Sequence, residues 1–172
     1  MIAVETKERI LETALELFAQ NGYLGTSMSM IAERLGITKA ALYKHYTGKQ
    51  EILDRIVERM NELDCERAAQ YQMPQAEAAQ HAERFLAYST AQFSHLTQAH
   101  FPADVRKMLT LEQYRAPALA RLYQKYLAAG PLDYIAAIFR ELTGDDKTGM
   151  QLALEFYGPI YLLYSIYDGA ED

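Results

Sequence analysis

The chain has 172 residues, half of them apolar, a net charge of −6 and one cysteine, Cys65. It is long enough for one or two modest domains with a real core, and too apolar to be disordered. Its acidity argues against nucleic-acid binding over the whole surface, and a lone cysteine excludes an internal disulfide framework and fits a reducing compartment, with Cys65 a passive half-buried residue on a long helix.

No stretch alternates as a strand would. Apolar residues recur with helical spacing, which predicts an all-α fold. The first helix is expected to start at a Thr6 cap, to carry Ile10, Ala14, Leu17 and Phe18 on one face, and to end at Asn21-Gly22. Thr26 or Ser27 caps a short second helix with Met28, Ile31, Ala32 and Leu35, which Gly36 stops. A third follows almost at once, with Thr38 at the cap and Ile37 placed to staple onto Leu42. The run "TGKQ", Thr47 to Gln50, reads as a capping box opening a fourth helix with Leu53, Ile56, Val57, Met60 and Leu63, ending near Gln72 before Pro74.

A fifth segment is expected from about Gln75 to Leu96, with Ala78, Ala82, Phe85, Ser89, Phe93 and Leu96 on one face. Pro102 and Pro117 suit the first turns of two further helices. Gly130-Pro131 breaks the pattern, which resumes through Ile135, Ile138, Phe139 and Leu142. After the loop "TGDDKTG", a last helix is expected from about Lys147 to Tyr167. The longest apolar run, Phe156 to Tyr167, is about half the roughly 20 residues that cross a bilayer, and Pro159 interrupts it. The opening "MIAVETKERI" has no apolar signal core. A cytoplasmic location and no membrane partner are expected.

The charge is unevenly spread. Gly22 to Gln50 holds four basic residues and one acid, Glu33, whereas Glu51 onward holds eleven basic residues against eighteen acids. Within the basic part, two helices joined around Gly36 have the pattern of a helix-turn-helix. Ala32 is small enough for a close crossing, and Ile37, Leu42 and Tyr46 can hold the second helix down. Thr38, Lys39, Ala40, Tyr43 and Lys44 then face outward, as on a helix that reads base edges in a major groove.

These residues carry a resemblance. "LFAQNGYLGTSMSMIAERLGITKAALYKHYTGKQEIL", Leu17 to Leu53, resembles the DNA-binding head of the TetR family of transcriptional regulators. The shared parts are the Phe-x-x-x-Gly-Tyr exit of helix one, the "IAERLGI" turn, "LYKHY", and Lys49 followed by "EIL". The resemblance implies a three-helix head over residues 1–50 linked by a long helix to a ligand-binding and dimerisation body over 51–172. It implies a homodimer on an inverted-repeat operator in double-stranded DNA, most simply a repressor released by a small effector. Carried over, Thr38, Lys39, Ala40, Tyr43, Lys44 and His45 become DNA contacts, joined by Thr26 and Ser27. Lys49 becomes a phosphate contact at a helix N-terminus. Two positions depart from the family pattern: Tyr46 needs an outlet for its hydroxyl, and Ser29 stands where a basic residue is common.

Other constellations are weaker. His81, His95 and His100 do not share a helical face and no acidic or cysteine cluster completes a set, so no metal and no cofactor are expected. There is no glycine-rich phosphate loop, Gly-x-Ser-x-Gly turn or His-Glu-x-x-His pair, and no enzyme is expected. The thirteen tyrosines suit ligand pockets and interfaces alike. Tyr88, Phe93, Tyr114, Tyr123 and Phe156 are the expected ligand contacts, for a small, mostly apolar effector, with tyrosine faces that also suit a cation. Leu154, Tyr157, Ile160, Tyr161, Leu163 and Tyr164 are the expected dimer face, together with the segment near Leu132 to Leu142. An activator or ligand-independent regulator of the same fold competes with the repressor reading. More remotely, so does a helical metabolite-binding protein or enzyme that keeps the motif as scaffold.

Overall fold

The computed structural model describes residues 2–71 and 82–170, with side chains over 5–66 and 86–170. Every regular element among them is an α-helix: α1 (Ile2–Asn21), α2 (Met28–Leu35), α3 (Lys39–Tyr43), α4 (Lys49–Tyr71), α5 (Ala82–Thr97), α6 (His100–Glu112), α7 (Pro117–Leu127), α8 (Ala129–Thr143) and α9 (Asp146–Gly169). The expected stop at Pro74, the start at Gln75 and His81 lie outside the described residues.

Two compact units result, Met1–Arg67 with Phe101–Ala120, and Ala68–His100 with Arg121–Asp172. The expected division at residue 50 falls in the first turn of α4. Within the first unit α4 buries Ile52, Leu53, Ile56 and Met60, α1 buries Ile10, Ala14, Leu15 and Phe18, and α6 buries Val105, Met108 and Leu109. α4 carries its buried apolar stripe past Gln50.

Two local expectations also change. α1 begins at Ile2, so Thr6 lies inside it; nothing in Ile2–Glu5 breaks a helix, and an interior threonine costs only a few tenths of a kcal/mol. At the start of α4, both the backbone N–H and the hydroxyl of Thr47 donate to Glu51 Oε2, at 2.6 and 2.7 Å. These contacts go to Glu51, one residue beyond "TGKQ", and the Thr47 hydroxyl donates where a capping box would have it accept; Gln50 accepts from the Tyr23 hydroxyl at 3.1 Å and donates to Asp54 at 2.9 Å. The two Thr47 bonds hold the Glu51 carboxyl below the ordinary carboxylate value.

In the second unit α8 and α9 form a close antiparallel pair around Ile135, Ala136 and Ala153. A Cβ on Gly149 would stand 2.7 Å from the backbone nitrogen of Arg140, so glycine and alanine here set the helix separation. Asp145 caps α9 by accepting the Thr148 N–H at 2.7 Å, and α9 continues through Pro159. No described helix is long and apolar enough to cross a membrane. Cys65 is exposed, not half-buried as expected.

Of the expected dimer face, Leu154, Tyr161 and Leu163 are exposed and Ile160 is partly so, alongside Leu162 and Ile166. Two members turn inward. Tyr164 is 5% exposed and stacks on Phe93 with ring centroids 5.3 Å apart, and the Tyr157 hydroxyl donates to the Leu127 carbonyl at 2.8 Å. Nearly all of α9 is apolar between Leu152 and Tyr167, so spacing alone does not tell its inner face from its outer one.

Candidate nucleic-acid interface

The reading surface is built by two caps and one turn. Ser27 accepts the Met30 N–H at 3.3 Å and starts α2. Gly36, at φ +67°, ends it; there an L-residue would be strained, and the Gly36 and Ile37 N–H groups reach back to the Glu33 and Ala32 carbonyls, both at 3.0 Å. Thr38 then accepts the Ala41 N–H at 3.1 Å and starts α3 at once. The interval between the helices is only Gly36 to Thr38, which fixes the crossing of α2 and α3.

Burial divides α3 into two sides. Leu42 is wholly buried and Tyr46, just beyond, is 4% exposed. The Tyr46 hydroxyl finds its outlet on the Lys7 carbonyl of α1 at 3.3 Å, and Lys7 Nζ lies 5.6 Å from its ring. On the other side Thr38, Lys39, Ala40, Tyr43 and Lys44 are all exposed, and Lys39 Nζ lies 5.9 Å from the Tyr43 ring. Such a surface offers ammonium and phenol donors on a short helix that can enter a groove. Ser27 is exposed, His45 half-buried.

Two expected contacts sit elsewhere. Thr26 is 2% exposed, and its hydroxyl donates to the Gly22 and Leu17 carbonyls at 2.9 and 3.1 Å. It fastens the α1–α2 turn. Lys49 points inward: its ammonium donates to the Tyr23 and Thr26 carbonyls, both at 2.6 Å, and lies 4.4 Å from the Tyr23 ring. Burial pushes the ammonium below the ordinary lysine value, while the Glu112 carboxylate acts the other way. Lys49 clamps the turn that leads into α2. Glu112, unremarkable in the sequence, completes the arrangement by accepting the Leu24 N–H at 3.2 Å. No local pattern connects positions this far apart.

The second unit holds a cavity of about 170 Å³. Tyr88, Phe93 and Phe156 line it as expected. Tyr114 does not: it is 90% exposed in the α6–α7 turn. Tyr123 is buried, but its hydroxyl pairs with that of Tyr161 and it is absent from the lining. Tyr126, Tyr134, Tyr157 and Tyr164 take their place. The four-residue recurrence Phe156, Ile160, Tyr164 along α9 was the available signal for this face. Among the described residues no cluster of three or more metal-ligating side chains forms.

An all-helical chain with an N-terminal helix-turn-helix whose second helix is capped, short and exposed has the architecture of a helix-turn-helix transcription factor. The comparisons agree. Residues 10–56 match the family described as bacterial regulatory proteins, tetR family, so the head is a TetR-type DNA-binding domain. The chain is 38% identical over 55 residues to the HTH-type transcriptional regulator SrpR of Pseudomonas putida, covering 32% of this chain and 26% of that one. It is 37% identical over 73 residues to the HTH-type transcriptional regulator AcrR of Shigella flexneri, covering 40% and 34%. It is 42% identical over 52 residues to IcaR of Staphylococcus epidermidis, described as a negative transcriptional regulator of a biofilm operon, covering 30% and 28%. The matches thus span about a quarter to a third of these relatives. The fold resembles that of a protein described as a transcriptional regulator from Saccharomonospora viridis, solved in complex with choline, with TM-score 0.67 and 24% identity, covering 94% of this chain and 84% of that one.

Proposed function

We propose that this protein is a sequence-specific DNA-binding transcriptional regulator, acting in the cytoplasm as a homodimeric repressor that a small molecule releases from an inverted-repeat operator. One observation carries the reading: Lys39, Ala40, Tyr43 and Lys44 stand exposed on a Thr38-capped helix that Leu42 anchors to the head. The relatives' names support regulation, and IcaR's supports repression. Two features support an effector: the aromatic cavity of the second unit, and the choline bound by the Saccharomonospora viridis protein. The exposed residues of α9 support a two-fold interface with a second copy. An effector shifts the DNA-binding equilibrium only through unequal affinity for two conformations. Selection of genomic fragments by the purified protein tests the proposal. A shared short inverted repeat is the expected result, and retention of fragments with no common sequence would overturn it.

A further inference from the structure

We propose that the cavity of the second unit is a cage for a small organic cation with a methylated, diffusely charged head group, held by aromatic faces and not by an ion pair. The inference rests on the reading of this cavity as an effector site. Of the thirteen lining residues, seven are aromatic and four are aliphatic. The other two, Ser89 and Gln92, are neutral, so no lining residue is charged among those described.

That composition discriminates between ligand classes. An anion would meet no Lys, Arg or His in the described lining, only neutral hydroxyl and amide donors, and its charge would go uncompensated. A metal ion would find no carboxylate or thiolate there. A primary ammonium carries three N–H donors and a tight hydration shell, and the lining offers it only neutral hydroxyl and amide oxygens and no carboxylate. A tetraalkylated nitrogen has no donor, spreads its charge over apolar methyl groups, and is attracted by the negative face of a ring. A purely aliphatic ligand would be matched by an aliphatic wall, and here aromatic residues predominate.

The site is preorganised for that use. Phe93 and Tyr164 stack with planes 7° apart, and Tyr167 meets Phe93 edge-on at 6.2 Å, so this wall is rigid. The Tyr157 hydroxyl is held by the Leu127 carbonyl, and burial, reinforced by neighbouring tyrosines, raises its pKa far above the ordinary phenol value. It therefore stays neutral, and the charge is stabilised by ring faces. The acidic balance from Glu51 onward draws cations toward this part of the chain. The volume of about 170 Å³ is slightly more than the roughly 150 Å³ that accommodates a benzene molecule, which limits the guest to a compact head group.

Calorimetric titration of the full chain with three probes of one shape tests this: a hydroxyalkyl trimethylammonium, the alcohol in which carbon replaces its nitrogen, and the matching primary ammonium. The trimethylammonium should bind at least about tenfold tighter than either. Equal or tighter binding of the neutral alcohol, or no binding of the trimethylammonium, would overturn the inference. Phe93→Leu should weaken the trimethylammonium about tenfold and leave the neutral alcohol unchanged, which also shows that the variant folds. Tyr126→Phe should keep the cation affinity. A loss as large as that of Phe93→Leu would mean that hydroxyl groups, not ring faces, hold the ligand, and would also overturn it. DNA release is read separately. Cation binding that leaves DNA affinity unchanged would refute the effector reading and leave the cage standing.

Discussion

Glu112, wholly buried at the end of α6, accepts the backbone N–H of Leu24 in the turn between α1 and α2. The two residues are 88 positions apart, and the bond ties that turn to a helix remote in sequence. Gly22 is part of the same joint, since a Cβ there would collide with Glu112 Oε1. The other carboxylate oxygen, Oε2, is buried with no hydrogen-bond partner among the described residues. Glu112→Ala should cost about 1–3 kcal/mol in urea unfolding by orphaning the Leu24 N–H, whereas Glu112→Gln, which keeps an acceptor for that N–H and loses only the attraction to the Lys49 ammonium, should cost less. A larger loss for Gln than for Ala would contradict this account of the joint.

Lys49 is expected to act on the head's shape, not directly on phosphate. Its two carbonyl bonds predict that Lys49→Ala lowers unfolding stability by about 1–3 kcal/mol. It should weaken operator binding while leaving the slope of log affinity against log salt unchanged, since no released counterion is lost. A stable variant whose salt slope falls by about one per subunit would return Lys49 to the phosphate contacts.

Alkaline pH should unfold the protein partly through Tyr157. Its folded pKa is raised above the ordinary 10.0, chiefly by burial. The folded state keeps the phenolic proton that the unfolded state releases, so this contribution is complete below pH 10.0 and is lost as pH rises beyond it. Tyr157→Phe has no proton to hold and should show a shallower loss of stability with pH in that range. Parallel profiles for the two proteins would contradict the assignment.

What was legible in the sequence was local. Gly36 and Thr38 act within four residues of themselves, through a left-handed φ and a side chain that reaches the third N–H ahead, so the helix-turn-helix could be read from spacing. Thr26 offered the same residue type as a cap, but packing put it under the Leu17 carbonyl, and only the fold reveals that. Lys49 on Tyr23, and Glu112 on Leu24, join segments that no periodicity relates. Tyr157 and Tyr164 could not be assigned to a face because their helix is apolar on nearly every side.

The outward face of α9 should be the seam between two copies. Leu162 is 60% and Ile166 58% exposed, one turn apart, beyond what the chain's own core uses. Leu162→Glu should leave the helical content intact and halve the sedimenting mass at micromolar concentration. A wild-type chain that sediments as a monomer there would rule out the homodimer.

Lys39 sits early on α3, exposed, where a lysine can donate to guanine acceptors in the major groove. Lys39→Ala should cost about 1–3 kcal/mol per half-site and relax preference at one base pair. An equal loss on operator and random duplex would make Lys39 a phosphate contact.

The head should read sequence. The affinity of the wild-type chain for a duplex carrying the selected inverted repeat, against a scrambled duplex of the same composition at one physiological salt concentration, measures this directly. The two half-sites should lie about 34–36 Å apart or a multiple of it, and the ratio of affinities should be about 10³ or more. A ratio near one would contradict the account and leave the Lys39 to Lys44 surface an ordinary solvated face.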